Sequence, residues 1–328
     1  MTTYNVNSWS DLSEMRDDLS GDYVLQVDLD SSSTGYTGIG DSWEDYYPGT
    51  GGAKSGNDFS GSFDGGGHVI SDLVVNGSSV SYFCGFIGFF SGTFVKNIIF
   101  KDVDITSQSQ VGIVGSHRGT GDITGVGVVG GSITALESRV GIVGWQQDYS
   151  GDLNNCYNDG CAITASGFTG EAGGIIGQAR TACNNCWSSG VVTADAYEGG
   201  LIGWDYNSLG LGVDSFWDTT VSGNATSDGG TGKTTSAMKD IDTYTDTATT
   251  GLTTVWDLVA KNDYVDEKWF INDSVDYPRL GFEWVATGSI SKVKVSGTII
   301  EGIIKYKTGG VITTPLQKVM VDGSLIVT

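Results

Sequence analysis

Between residues 83 and 204 a four-residue pattern of two apolar side chains held between glycines returns five times. The copies are GFIG (Gly85–Gly88), GIVG (Gly112–Gly115), GIVG (Gly141–Gly144), GIIG (Gly174–Gly177) and GLIG (Gly200–Gly203), with starts 27, 29, 33 and 26 residues apart. A polar turn follows each copy, then a short alternating stretch such as "VKNIIFKDVDIT", "ITGVGVVGGSIT", "LNNCYNDGCAIT" or "NNCWSSGVVT". Alternation with period two in β-branched residues predicts strands, and no helical period competes with it. A unit of this length cannot close a core alone, whereas stacked copies bury a continuous one at about 4.8 Å per layer. The pattern therefore predicts an all-β fold, a β-solenoid (β-helix) of about 27–33-residue rungs. Ile113, Val114, Ile142, Val143, Ile175, Ile176, Leu201 and Ile202 are expected at equivalent inward sites. The pairs Ile105-Thr106, Ile133-Thr134, Ile163-Thr164 and Val192-Thr193 are expected in register. The repeat glycines Gly112, Gly115, Gly141, Gly144, Gly174, Gly177, Gly200 and Gly203 are expected to let the backbone turn tightly.

The flanks read differently. Ser8 followed by Asp11 predicts a capping box, and Trp9, Leu12, Met15 and Leu19 fall on one face of a short helix that would cover the open end of the first rung. Residues 1–58 are read as this N-terminal cap with its first strands, 59–223 as the solenoid and 224–284 as a C-terminal cap. Residues 285–328, rich in Val, Ile and Thr with Gly-Gly and Asp-Gly turns, read as a small separate β unit. Within the C-terminal part, "SDGGTGKTTSAM" (Ser227–Met238) approaches a phosphate-binding loop. The glycine that the pattern needs is Ser227, and no buried strand leads into it, so a loop entering a short helix is expected instead.

The tetrads resemble the GLUG motif of bacterial and archaeal surface proteins. The lead-in "FSGSFDGGGHVISDLVV" (Phe59–Val75), the opening "WSDLSEMRDDLSGDYVLQVDLD" and the closing "SFWDTTVSG", "GTGKTTSAMKD" and "KWFINDSVDYPRL" are similar to segments of those arrays. The resemblance spans about residues 1–284 and implies a β-solenoid displayed on a surface, in adhesins or beside metallopeptidase domains of the IgA-cleaving type. A zincin needs H-E-x-x-H, and His68 and His117, the only histidines, stand in no such setting.

Charge narrows the setting. The 328 residues carry a net charge of −22. Before residue 285 there are 12 Lys and Arg against 37 Asp and Glu, a net of −25, and the last 44 residues carry about +3. A field of that sign repels nucleic acid and anionic lipid. Such an excess of Asp suits molar salt, where the Debye length falls to about 3 Å and self-repulsion is screened. No apolar run is long enough to cross a bilayer as a helix, and the opening "MTTYNVNSWSDL" has no secretory pattern. The five cysteines (84, 156, 161, 183, 186) have spacings unlike a zinc ribbon. Cys156 and Cys186 fall at the same site of successive repeats, so stacking is expected.

No cofactor, metal or catalytic set is expected. The sequons at Asn76, Asn224 and Asn272 matter only if the chain crosses a membrane. With 31 aspartates, carboxylate pairs arise by chance, and no pair marks a glycosidase. Trp145, Tyr149, Trp204, Asp205 and Tyr206 form the candidate receptor-binding group, since flat aromatic faces beside polar groups suit a sugar ring. The expected function is non-enzymatic surface attachment. Its setting is a virion spike, fibre or turret of a haloarchaeal virus, made in the host cytoplasm without a signal peptide. Its partners are itself as a homo-oligomer, other virion proteins and a host cell-surface glycan or glycoprotein, with no nucleic acid and no membrane insertion. The basic tail is expected to be the assembly end. A cellular S-layer-associated adhesin and a sugar-cleaving tail spike are the alternatives.

Overall fold

The computed structural model describes residues 2–30, 36, 38–39, 58–77, 83–147, 151–263 and 268–284, together with the backbone of short strands beyond residue 291. These residues form a parallel β-solenoid with three faces. Its first face is a long ladder through Thr3–Val6, Asp22–Leu25, Ser62–Ser71, Phe94–Ser107, Asp122–Ala135, Tyr157–Asp159, Trp187–Ser188, Phe216–Asp218 and Thr231–Lys233. The second face stacks Phe83–Cys84, Gln110–Val111, Arg139–Val140, Glu171–Gly173 and Tyr197–Gly199. The third stacks Ile87–Phe90, Val114–His117, Val143–Gln146, Ile176–Ala179 and Ile202–Asp205.

The register follows the repeat read from the sequence. Ile87, Val114, Val143, Ile176 and Ile202 pair in one column, and Val75, Ile105, Ile133, Ile163 and Val192 in another. All eight tetrad aliphatics named above are buried within a single core cluster.

Each tetrad opens on a bend that carries the chain from the second face to the third, as expected, and its glycines do more than turn. None of the eight has a positive φ. They are also required for space. An added Cβ at Gly144 would lie 2.7 Å from the Gly115 carbonyl oxygen and 2.8 Å from the backbone N and O of Val111. At Gly177 it would lie 2.6 Å from the Gly144 oxygen and 2.7 Å from the Val140 nitrogen. Third-face strands thus pack directly on second-face backbone, a contact no side chain allows.

The left-handed corners lie elsewhere. Asn97, Gly125, Asn155, Asn185 and Asp214 stack in one column, all with φ between 50° and 64°. Only Gly, Asn and Asp adopt this conformation at low cost. The "CNNC" segment is explained by it: Asn185 occupies the corner, the Asn184 amide donates to Asn154 Oδ1 at 3.0 Å, and the cysteines face the core. Cys156 and Cys186 stack as expected, with the Cys156 N–H donating to Cys186 Sγ at 3.3 Å. All five cysteines are buried, and no disulfide joins any of them among the described residues.

At the N-terminus the helix α1 (Trp9–Glu14) is capped by Ser8, whose Oγ accepts from the Asp11 N–H, while Asp11 in return accepts from the Asn7 N–H. Leu12 and Met15 are fully buried, with Trp9 and Leu19 packed beside them.

Residues 234–284 lie along the outside of the first face. The helices α2 (Thr235–Met238, capped by Thr234) and α3 (Asp242–Thr245) lead into a small sheet of Leu258–Ala260, Trp269–Ile271 and Arg279–Leu280. Together with Ile99, Tyr157, Trp187 and Phe216 from the solenoid, this segment forms a second core. Trp187 is stacked between Tyr157 (centroids 5.0 Å apart) and Tyr277 (4.9 Å). Polar links fix the segment: Trp269 Nε1 donates to Asn155 Oδ1, Tyr157 Oη to Glu283, Tyr277 Oη to Asp218, and Arg279 pairs with Asp159. Phe282 reaches down to the edge of Gly67 near the first rungs.

Beyond residue 291 the described backbone consists of three antiparallel hairpins, Lys292–Val295 with Thr298–Glu301, Lys307–Thr308 with Val311–Ile312, and Val319–Val321 with Ser324–Ile326. Their side chains lie outside the described residues, as does any tail surface for assembly.

Candidate functional site

The column that follows the tetrads runs Phe89, Ser116, Trp145, Gln178, Trp204 in unbroken register on the third face. Beside it, on the second face, runs Phe83, Gln110, Arg139, Glu171, Tyr197. The two columns meet across the corner that the glycines make so tight. Phe83 packs edge-on to Phe89 with centroids 5.0 Å apart. The Arg139 guanidinium carbon sits 4.7 Å from the centre of the Trp145 ring. Tyr197 stacks on Trp204 at 5.0 Å and 8°.

Between these pairs lies a cleft of about 400 Å³, lined among others by Trp145, Trp204, Arg139, Glu171, Gln110 and Glu137. That volume falls in the range of small-ligand sites. Trp145 and Trp204 are both half-buried and stand two rungs apart, about 10 Å along the axis. Between them in the column is Gln178, only 1% exposed. The Trp145 indole N–H and the Gln178 Oε1 are buried and have no hydrogen-bond partner among the described residues.

At the centre, Arg139 Nε donates to Glu171 Oε2 at 3.0 Å, and the Glu171 side chain is 3% exposed. Burial pushes the Glu171 carboxyl up to about 7, against the opposing pull of Arg139. Loss of hydration outweighs the ion pair here, because the low-dielectric wall disfavours charge more than one guanidinium restores.

The candidate residues named from the sequence fall in three places. Trp145 and Trp204 line the cleft. Tyr206 stands next to it, edge-on to Trp204 at 5.1 Å and covered by the Arg180 guanidinium at 3.8 Å. Asp205 points away from this surface. It is 3% exposed, and its carboxylate accepts the backbone N–H groups of Asn207, Gly210 and Leu211, closing the following turn. His117 and Gln146, in the same column one rung after another, hold their own turns with the opposite polarity, each donating from Nε2 to the carbonyl oxygen of Gly121 or Gly151. Burial holds the His117 ring down to about 4, so it is neutral near pH 7. Tyr149 lies outside the described residues.

The sequence reading missed the second wall: Phe83, Gln110 and Arg139 stand two residues before a tetrad and Glu171 and Tyr197 three, and that narrow offset was the available signal. Of the sequon asparagines, Asn224 is buried, with its amide on Glu198, and is closed to a glycosyl group.

Fold and cleft together define a parallel β-solenoid with a ligand-sized groove along one edge. No family model matches the chain. Over 148 residues it is 30% identical to Halomucin of Haloquadratum walsbyi, a stretch covering 41% of this chain and 2% of Halomucin. The chain therefore corresponds to a very small part of that relative's length. A solved structure of a Bacteroides ovatus protein named as an immunoglobulin A1 protease aligns with a TM-score of 0.45 and 20% identity, over 66% of this chain and 64% of that one.

Proposed function

We propose that this chain is a non-enzymatic attachment module, displayed on a surface in concentrated salt, which holds a cell-surface glycan in the cleft between Trp145 and Trp204. The observation that carries the reading is the cleft itself, two aromatic platforms flanking polar groups on the edge of an acidic solenoid. Aromatic faces cover the C–H side of a sugar while the neighbouring amide, carboxyl and guanidinium groups bond its hydroxyls. The charge of −22 keeps such a solenoid soluble when salt screens ordinary surfaces.

The finer setting proposed is a virion spike, fibre or turret of a haloarchaeal virus, assembled as a homo-oligomer through the basic tail. The similarity to Halomucin, a protein of a haloarchaeon, favours a second setting: an adhesin of the cell envelope.

The test uses labelled full-length chain added to haloarchaeal cells in molar salt. Saturable binding that is lost in the Trp145→Ala, Trp204→Ala double variant is expected. Undiminished binding by that variant would remove the cleft from the proposal, and sugar released from the envelope would replace attachment by cleavage. Probing virus particles and cell envelopes with antibody to the chain separates the two settings.

A further inference from the structure

The charges in the cleft restrict its ligand further than the attachment reading does, and the inference rests on that reading. We infer that the cleft accepts an uncharged saccharide chain, lying parallel to the solenoid axis, and excludes acidic ones.

The direction follows from the columns. Trp145, Gln178 and Trp204 are in register on three consecutive strands, so their line runs along the axis. The opposite wall, from Arg139 through Glu171 to Tyr197, runs the same way. A ligand that touches both tryptophans therefore lies along the stack and spans about 10 Å between platforms at the usual strand spacing. This is a reach of a short oligosaccharide rather than a single ring. Between the two platforms the cleft is lined by the polar groups of Gln110, Arg139 and Glu171. A sugar hydroxyl is donor and acceptor at once and suits such a mixed wall.

The charge preference follows from which groups are already engaged. The charged groups lining the cleft are Arg139, Glu171 and Glu137. The guanidinium is committed on one side to Glu171 and on its face to Trp145. An incoming carboxylate or sulfate would thus meet Glu137 and Glu171 with no uncommitted cation among the described lining residues. In molar salt the Debye length is about 3 Å and the field of the distant acidic body is largely screened, so discrimination comes from groups in contact with the ligand. These carboxylates are the groups so placed.

The experiment measures affinity of the full chain at pH 8 in molar salt for four probes: cello-oligosaccharide, chito-oligosaccharide, manno-oligosaccharide and oligogalacturonate. At least one neutral probe is expected to bind, at least tenfold more tightly than oligogalacturonate, with loss of at least tenfold in Trp145→Ala or Trp204→Ala. Glu171→Gln, which keeps the shape and removes the charge, is expected to raise the ratio of galacturonate to neutral affinity at least tenfold. A chain that prefers oligogalacturonate, or whose ratio is unmoved by Glu171→Gln, overturns the inference while cell attachment through the tryptophans still stands. Attachment to cells without affinity for any neutral probe overturns it as well. Loss of the cell attachment itself would instead remove the proposed function.

Discussion

Two flanks of this solenoid carry aromatic columns of similar make, and only one is covered. On the first face Tyr157, Trp187 and Phe216 lie beneath the chain's own residues 234–284, and Trp187 is 0% exposed between two tyrosine rings. On the second and third faces Trp145 and Trp204 face a cleft that no described segment fills. The same side chains therefore serve packing on one flank and remain available to a ligand on the other. The difference lies in what the rest of the chain covers, not in the rungs that carry them.

The strongest way to break the comparison is to attack the core that both flanks share. Ile175→Asp places an unpaired carboxylate at a fully buried site and is expected to cost about 5 kcal/mol, read as a collapse of the denaturant midpoint in molar salt. Trp187→Ala, which empties the covered flank, is expected to cost about 4 kcal/mol by the same measurement and to leave the cleft's ligand binding intact in the folded fraction.

The next effect is specific to the open flank. The folded state holds the Glu171 proton up to about pH 7, whereas the carboxyl ordinarily releases it near 4.5. Between those values the fold binds more protons than the unfolded chain. Stability is therefore greatest below about pH 4.5 as far as this group is concerned and falls as pH rises through 7, by roughly 3 kcal/mol in all. Midpoints measured from pH 5 to 8 are expected to show this decline, and Glu171→Gln to flatten it. An unchanged slope in that variant assigns the decline elsewhere. The smallest expected effect on stability belongs to Trp145→Ala and Trp204→Ala, about 1 kcal/mol each, because both side chains are half-exposed. A cost as large as that of Trp187→Ala would erase the distinction between the flanks.

Some of this was readable from the residues alone. Period-two alternation and the five tetrads are local signals repeated at a nearly constant interval, and a stack of parallel rungs is the arrangement that buries all of them together. The register of Ile105, Ile133, Ile163 and Val192 came from the same signal. The bend at each tetrad came from it too, whereas the close packing at its second glycine did not. A close approach between two strands and a left-handed turn leave the same letter in the sequence, and only the distance from Gly144 to the Val111 backbone separates them. Asp205 shows the same limit: beside Trp204 it reads as a surface carboxylate, yet it folds back to hold three backbone N–H groups of its own turn.

By itself, then, the sequence determined the solenoid, its core columns, its α1 cap and the acidic character of its body, since all of these follow from the type and spacing of neighbouring residues. Only the tertiary structure decided which tryptophans are covered, that Arg139 and Glu171 stand opposite Trp145, and that burial outweighs the ion pair at Glu171. These depend on residues brought together from different rungs and from the returning segment 234–284. Burial and charge in such places are set by the sum of everything packed nearby, which no local pattern encodes.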